Sequence, residues 1–74
     1  MNQKKRIISY MNEFGSITPL EAMRDLGIMR LGARIWDLER DGYLIRHQMI
    51  KVQNRFGTET LVCQYSLLEE VENG

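Results

Sequence analysis

Three arginines, Arg30, Arg34 and Arg40, fall on one short amphipathic stretch of this 74-residue chain. A guanidinium is a planar, permanently charged fork that pairs bidentately with a phosphate or with the O6/N7 edge of guanine. Arg30 and Arg34 stand near the start of the stretch, the end that enters the groove when a helix reads DNA. Ala33 leaves room for close approach, and Asp37 completes the set expected nearest the bases. The competing explanation is an internal ion pair, Arg34 with Asp37 or Asp41 at spacings of three and seven. Downstream, Lys51 and Arg55 flank a turn, where an arginine suits the negative potential of a minor groove. Lys4, Lys5 and Arg6 can meet phosphates from the chain's start, although basic helix ends are more often only solvated.

Other chemistry finds little support in the residue types. One histidine, His47, and one cysteine, Cys63, cannot form a tetrahedral zinc site without carboxylates. No phosphate-cradling loop, paired catalytic carboxylates or activated nucleophile is visible, so an enzyme, a metal and a cofactor are not expected. Cys63 alternates with Leu61 and Tyr65 and is expected to be a buried strand residue, with His47 on the surface. The five methionines suit core filling. The net charge is zero, yet residues 1–67 hold ten basic and seven acidic groups, a net of +3, and three acids crowd the last six positions. That distribution is compatible with DNA binding without demanding it.

A chain this short forms one domain, burying roughly 60% of its unfolded surface. No segment approaches the roughly 18 apolar residues needed to span a bilayer, and the N-terminus lacks the features of a signal peptide. With a single cysteine, the expectation is a cytoplasmic protein without disulfides.

The elements that must position the arginines follow from periodicity. Residues 3–14 predict a first helix with Ile7, Ile8, Met11 and Phe14 on its inner stripe, ended by Gly15. Ser16-Ile17 is a brief extended link. Thr18-Pro19-Leu20-Glu21 is a capping box with proline at the first helical position, opening a helix over 19–26 with Leu20, Met23 and Leu26 facing inward. Gly27 separates it from a third helix over 29–41, whose buried stripe is Ile28, Leu31, Ile35 and Leu38. Opposite that stripe lie Met29, Ala33, Trp36 and Arg40. The cost of leaving an indole in water predicts that Trp36 packs against the following strands, with contact to a sugar or a thymine methyl as the alternative.

Beyond Gly42 the pattern turns strand-like over 43–52 and 60–67, joined by a turn at 53–58. Ile45 falls out of phase with Ile50 and Val52, which predicts a bulge between Arg46 and Met49. The acidic end, residues 68–74, is expected to fray. Three helices followed by a β-hairpin make an α+β, winged helix-turn-helix order over residues 1–67, with helix 29–41 in the major groove and the 51–58 wing on the backbone or minor groove.

The chain resembles a family of small winged helix-turn-helix domains common in bacteriophages and prophages. The resemblance rests on Gly15-Ser16-Ile17-Thr18, Leu20-Glu21-Ala22, Leu26-Gly27-Ile28, Arg30-Leu31, Ala33-Arg34-Ile35, Asp37-Leu38, Gly42-Tyr43 and Asn54-Arg55-Phe56-Gly57, and it covers roughly residues 5–67. It implies a DNA-binding fold. Two departures stand out: Gly32, where the family more often has alanine, and the acidic run Glu39-Arg40-Asp41.

The expected function is therefore duplex DNA binding by a small phage or prophage transcriptional regulator, with Arg30, Ala33, Arg34, Asp37, Lys51 and Arg55 at the interface. A protein-interaction module, acting as adaptor or inhibitor of a host or phage protein, is the rival. A replication or recombination accessory is the third possibility. A monomer or weak homodimer is expected, since a stable dimer would have to use helix one or the wing.

Overall fold

The structure, a computed structural model, describes residues 2–68, so the acidic residues 69–74, and with them the expected fraying, lie outside the described residues. Helix α1 spans Gln3–Phe14; the Asn2 side chain accepts from Lys5 N and Gly15, at φ 91°, closes it. Ile7 and Met11 are buried and Ile8 is half-buried. Phe14, expected inside, is 63% exposed and stacks instead on Tyr10, with ring centroids 4.6 Å apart. The core ends one turn before it.

Thr18 opens α2, Pro19–Glu21, with the full capping box: Glu21 N donates to Thr18 Oγ1 at 3.2 Å and Thr18 N donates to Glu21 Oε1 at 3.0 Å. The chain continues as a π-helical turn, Ala22–Leu26, ended by Gly27 at φ 71°. The inward face differs from the expected one. Leu20 and Met23 are exposed, while Ala22 is fully buried and Leu26 packs partly against the core. So short an element cannot bury a stripe of its own. Ile17 and Ile28, which flank it, take the core positions and leave room for only a methyl between them.

Helix α3 spans Leu31–Arg40, shorter than predicted by its first two residues and its last. Its stripe of Leu31, Ile35 and Leu38 is buried, and Ile28 joins it. Tyr43 N donates to Leu38 O as the chain leaves the helix and enters the hairpin.

Strands β1, Ile45–Gln53, and β2, Glu59–Leu67, pair antiparallel one for one, from Ile45↔Leu67 to Gln53↔Glu59. The expected bulge is therefore absent. Alternation places Ile45, His47, Met49 and Lys51 on one face and Arg46, Gln48, Ile50 and Val52 on the other. Of β1, only Ile45 is buried, because the hairpin projects beyond the core. Nine paired residues at about 3.3 Å each reach about 30 Å. The molecule accordingly measures 45 × 28 × 21 Å. Ile17 forms a single antiparallel bridge to β2, exchanging backbone hydrogen bonds of 2.8 and 2.9 Å with Tyr65.

The core, drawn from every element except α2 and β2, is Ile7, Met11, Ile17, Ala22, Ile28, Leu31, Ile35, Leu38 and Ile45. Among the described residues no helix is long and apolar enough to cross a membrane.

Candidate nucleic-acid interface

Burying Leu31, Ile35 and Leu38 fixes the rotation of α3 and thereby what it presents to solvent. Arg30 is not inside the helix but at its N-cap, with φ −125°, ψ 65° and no side-chain cap hydrogen bond. It is exposed and forms no ion pair among the described residues. A cation at this end opposes the positive pole of the helix dipole, and no side chain at the cap satisfies the first amides of α3. Local stability therefore does not explain arginine here.

Arg34 and Asp37 are half-buried, and the ion pair anticipated from their spacing is formed. Arg34 Nη2 lies 3.2 Å from Asp37 Oδ2, and Arg40 Nη2 lies 3.4 Å from Asp37 Oδ1. One carboxylate thus spans two arginines, and Asp41, the alternative partner, bonds Lys4 at 2.6 Å instead. Arg34 Nε is buried without a hydrogen-bond partner. Ala33 sits half-buried among these groups.

Trp36 does not pack under the hairpin; it is 59% exposed, and the Arg40 guanidinium lies over its ring at 4.5 Å from the centroid. The indole lies outward on the helix, one turn from an arginine long enough to cover it. Both residues lie opposite the buried stripe, as the helical spacing predicts. The hairpin instead covers a neighbouring side of α3: His47 Nε2 lies 2.8 Å from Glu39 Oε2, and the His47 ring meets Tyr65 edge-on at 5.0 Å. Burial of Tyr65 raises its hydroxyl pKa above the usual value, with the nearby Cys63 adding to the effect. Cys63 itself is half-buried rather than fully enclosed. Among the described residues no cluster of His, Cys, Asp and Glu is assembled that could hold a metal ion.

Gly32 has ample room. A Cβ built there meets only the Tyr65 hydroxyl, at an ordinary 3.9 Å. Gly32→Ala is therefore expected to raise stability by about 0.5–1 kcal/mol, since alanine loses less backbone freedom in a helix. Chemical denaturation followed by circular dichroism checks this; a loss of stability would mean that α3 needs the glycine.

The wing turn is fixed by Asn54, whose Oδ1 accepts from Phe56 N, Thr58 N and Thr58 Oγ1 at 2.9–3.2 Å. Gly57, at φ 82°, takes the left-handed position that this three-residue loop requires. Arg55 and Phe56 form the tip, and Phe56 is 84% exposed. Lys51 shares the sheet face of His47, the face turned toward α3, and approaches Glu59 only at 4.0 Å. Arg30, Ala33, Arg34 and Asp37 are thus gathered on α3 and its start, and Lys51 and Arg55 stand apart on the projecting hairpin. Met49 and Leu61 on one hairpin face and Val52 on the other are exposed, which makes the wing more apolar than a purely phosphate-gripping surface.

A family model described as a winged helix-turn-helix domain matches residues 2–70. No curated protein and no solved structure matches the chain.

Proposed function

The chain belongs to the winged helix-turn-helix domain family, and on that premise we propose that it binds duplex DNA as a small phage or prophage transcriptional regulator in the cytoplasm. Helix α3 enters the major groove, with Arg30, Ala33, Arg34 and Asp37 nearest the bases, while Lys51 and Arg55 of the wing engage the adjacent backbone or minor groove. The observation that carries this reading is Arg30, an exposed cation with no ion pair among the described residues at the positive end of α3, where an external anion offsets its opposition to the helix dipole. The phage setting rests on the resemblance of the Gly15–Gly57 motifs to phage and prophage domains, and the regulatory role extends the DNA-binding reading.

The wing contribution has its own test. Lys51→Ala and Arg55→Ala are each expected to weaken binding across all duplex sequences and to reduce the salt dependence by about one phosphate contact. Equal salt slopes in wild type and both variants would remove the wing from the interface.

A second reading is favoured by one observation. Met29, Met49, Phe56 and Leu61 are large apolar groups left in solvent, a surface that suits a protein partner as well as a nucleic acid. Capture by the tagged protein from extract, with and without nuclease, separates the two. Partners lost on nuclease treatment fit the DNA reading, and partners retained fit an adaptor or inhibitor.

A further inference from the structure

We infer that Arg40 reads a guanine in the major groove, with Trp36 and Asp37 as the residues that position it; this rests on the duplex-DNA reading above. Trp36 and Arg40 lie one turn apart on the outward side of α3, in line with Ala33 and away from the buried stripe. Both are largely exposed, and Asp37 between their turns is mostly covered. The Arg40 guanidinium lies over the indole at 4.5 Å, and its Nη2 is held at 3.4 Å by Asp37. Its Nη1 and Nε make no hydrogen bond among the described residues.

This arrangement differs from that of either arginine nearer the helix start. Arg30 makes no side-chain hydrogen bond or ion pair among the described residues, and Arg34 has its Nε buried and one Nη committed to Asp37. Arg40 combines exposure with a fixed plane. A free arginine loses rotamer freedom when it binds, whereas one already stacked and anchored has lost much of it beforehand. Asp37 takes one N–H of Nη2, and its second N–H, together with the free nitrogen on that edge, forms the open fork that matches the O6 and N7 acceptors of guanine. A lysine in the same place keeps the charge and lacks the fork.

The experiment begins with selection of duplexes from a random library by the wild-type full chain. Affinities of wild type, Arg40→Lys, Arg40→Ala and Trp36→Ala are then measured for the selected duplex. A second duplex carries A·T at the preferred G·C position, and a third carries 7-deazaguanine, which lacks the N7 acceptor. Circular dichroism confirms that each variant is folded. Wild type is expected to prefer guanine over both replacements by about tenfold or more. Arg40→Lys and Arg40→Ala are expected to lose that preference at one position only, with Arg40→Lys keeping its affinity for mixed-sequence duplex. Trp36→Ala is expected to reduce the preference at the same position. Full guanine preference in Arg40→Lys overturns this assignment while leaving the DNA reading standing. Failure of the wild type to bind any duplex overturns both.

Discussion

The Arg30→Ala, Arg34→Ala double variant is expected to bind duplex DNA about ten- to a hundredfold more weakly than wild type and to melt at nearly the same temperature. The loss follows from removing two cations at the end of α3 that the proposed function places nearest the bases. The unchanged melting temperature follows from what the two side chains do in the free protein. Arg30 makes no ion pair among the described residues and opposes the helix dipole, so its removal relieves the helix slightly. Arg34 forms one ion pair with Asp37 and leaves a buried Nε unbonded. A partly exposed pair of this kind contributes only about 0–1 kcal/mol, and the buried N–H without a partner offsets part of it. Asp37 keeps Arg40 as a partner. Anisotropy with labelled duplex gives the affinity and a thermal melt gives the stability. Undiminished affinity in a folded double variant would remove these two arginines from the interface.

Ile35→Ala is expected to destabilise the domain by about 2–5 kcal/mol, the range for truncating a buried aliphatic side chain. Ile35 is fully buried at the middle of the α3 stripe, among Ile7, Leu31 and Leu38 of the same core. A domain of this size holds about 4–11 kcal/mol in all, at about 0.05–0.15 kcal/mol per residue. The melting temperature should therefore fall by about 10 °C or more. Circular dichroism against temperature measures it. The result also bears on function, because the rotation of α3 about its axis is set by this stripe. A change below about 1 kcal/mol would place Ile35 at the surface and turn Arg30, Trp36 and Arg40 away from the outward face.

The parts of the fold legible in the sequence are those decided within a few residues. Thr18-Pro19-Leu20-Glu21 forms its capping box whatever lies elsewhere, and the spacing of Leu31, Ile35 and Leu38 identifies the inner face of α3. Asn54 and Gly57 specify their turn in the same local way. Misplaced features depended on what lay across the molecule. The bulge was inferred because Ile45, Ile50 and Val52 could not share a buried face, but beyond Ile45 the hairpin has no buried face to share. Phe14, Leu20 and Met23 continue helical stripes past the limits of a small core, and periodicity carries no information about where a core stops.

The side-chain pairings around the proposed interface were legible to the same degree. The pairing of Arg34 with Asp37 could be anticipated from a spacing of three, whereas Lys4 with Asp41, separated by 37 residues, could not. Trp36 shows the limit of arguing from burial cost alone. Its apolar surface is covered in part by Arg40, a polar residue on its own helix, rather than by the hairpin. That partner changes the indole from an expected core group into part of the outward surface of α3.

The central claim is tested most directly by fluorescence anisotropy of a labelled mixed-sequence duplex, titrated with the wild-type chain at low and then moderate salt. The proposed phosphate contacts of Lys51 and Arg55, beside the arginines of α3, predict saturable binding at low salt that weakens steeply as salt rises, log affinity falling by about 0.9 per contact for each tenfold rise in salt. No binding at low salt would contradict a DNA-binding function and make the exposed apolar wing the surface to pursue, and binding indifferent to salt would remove the phosphate contacts.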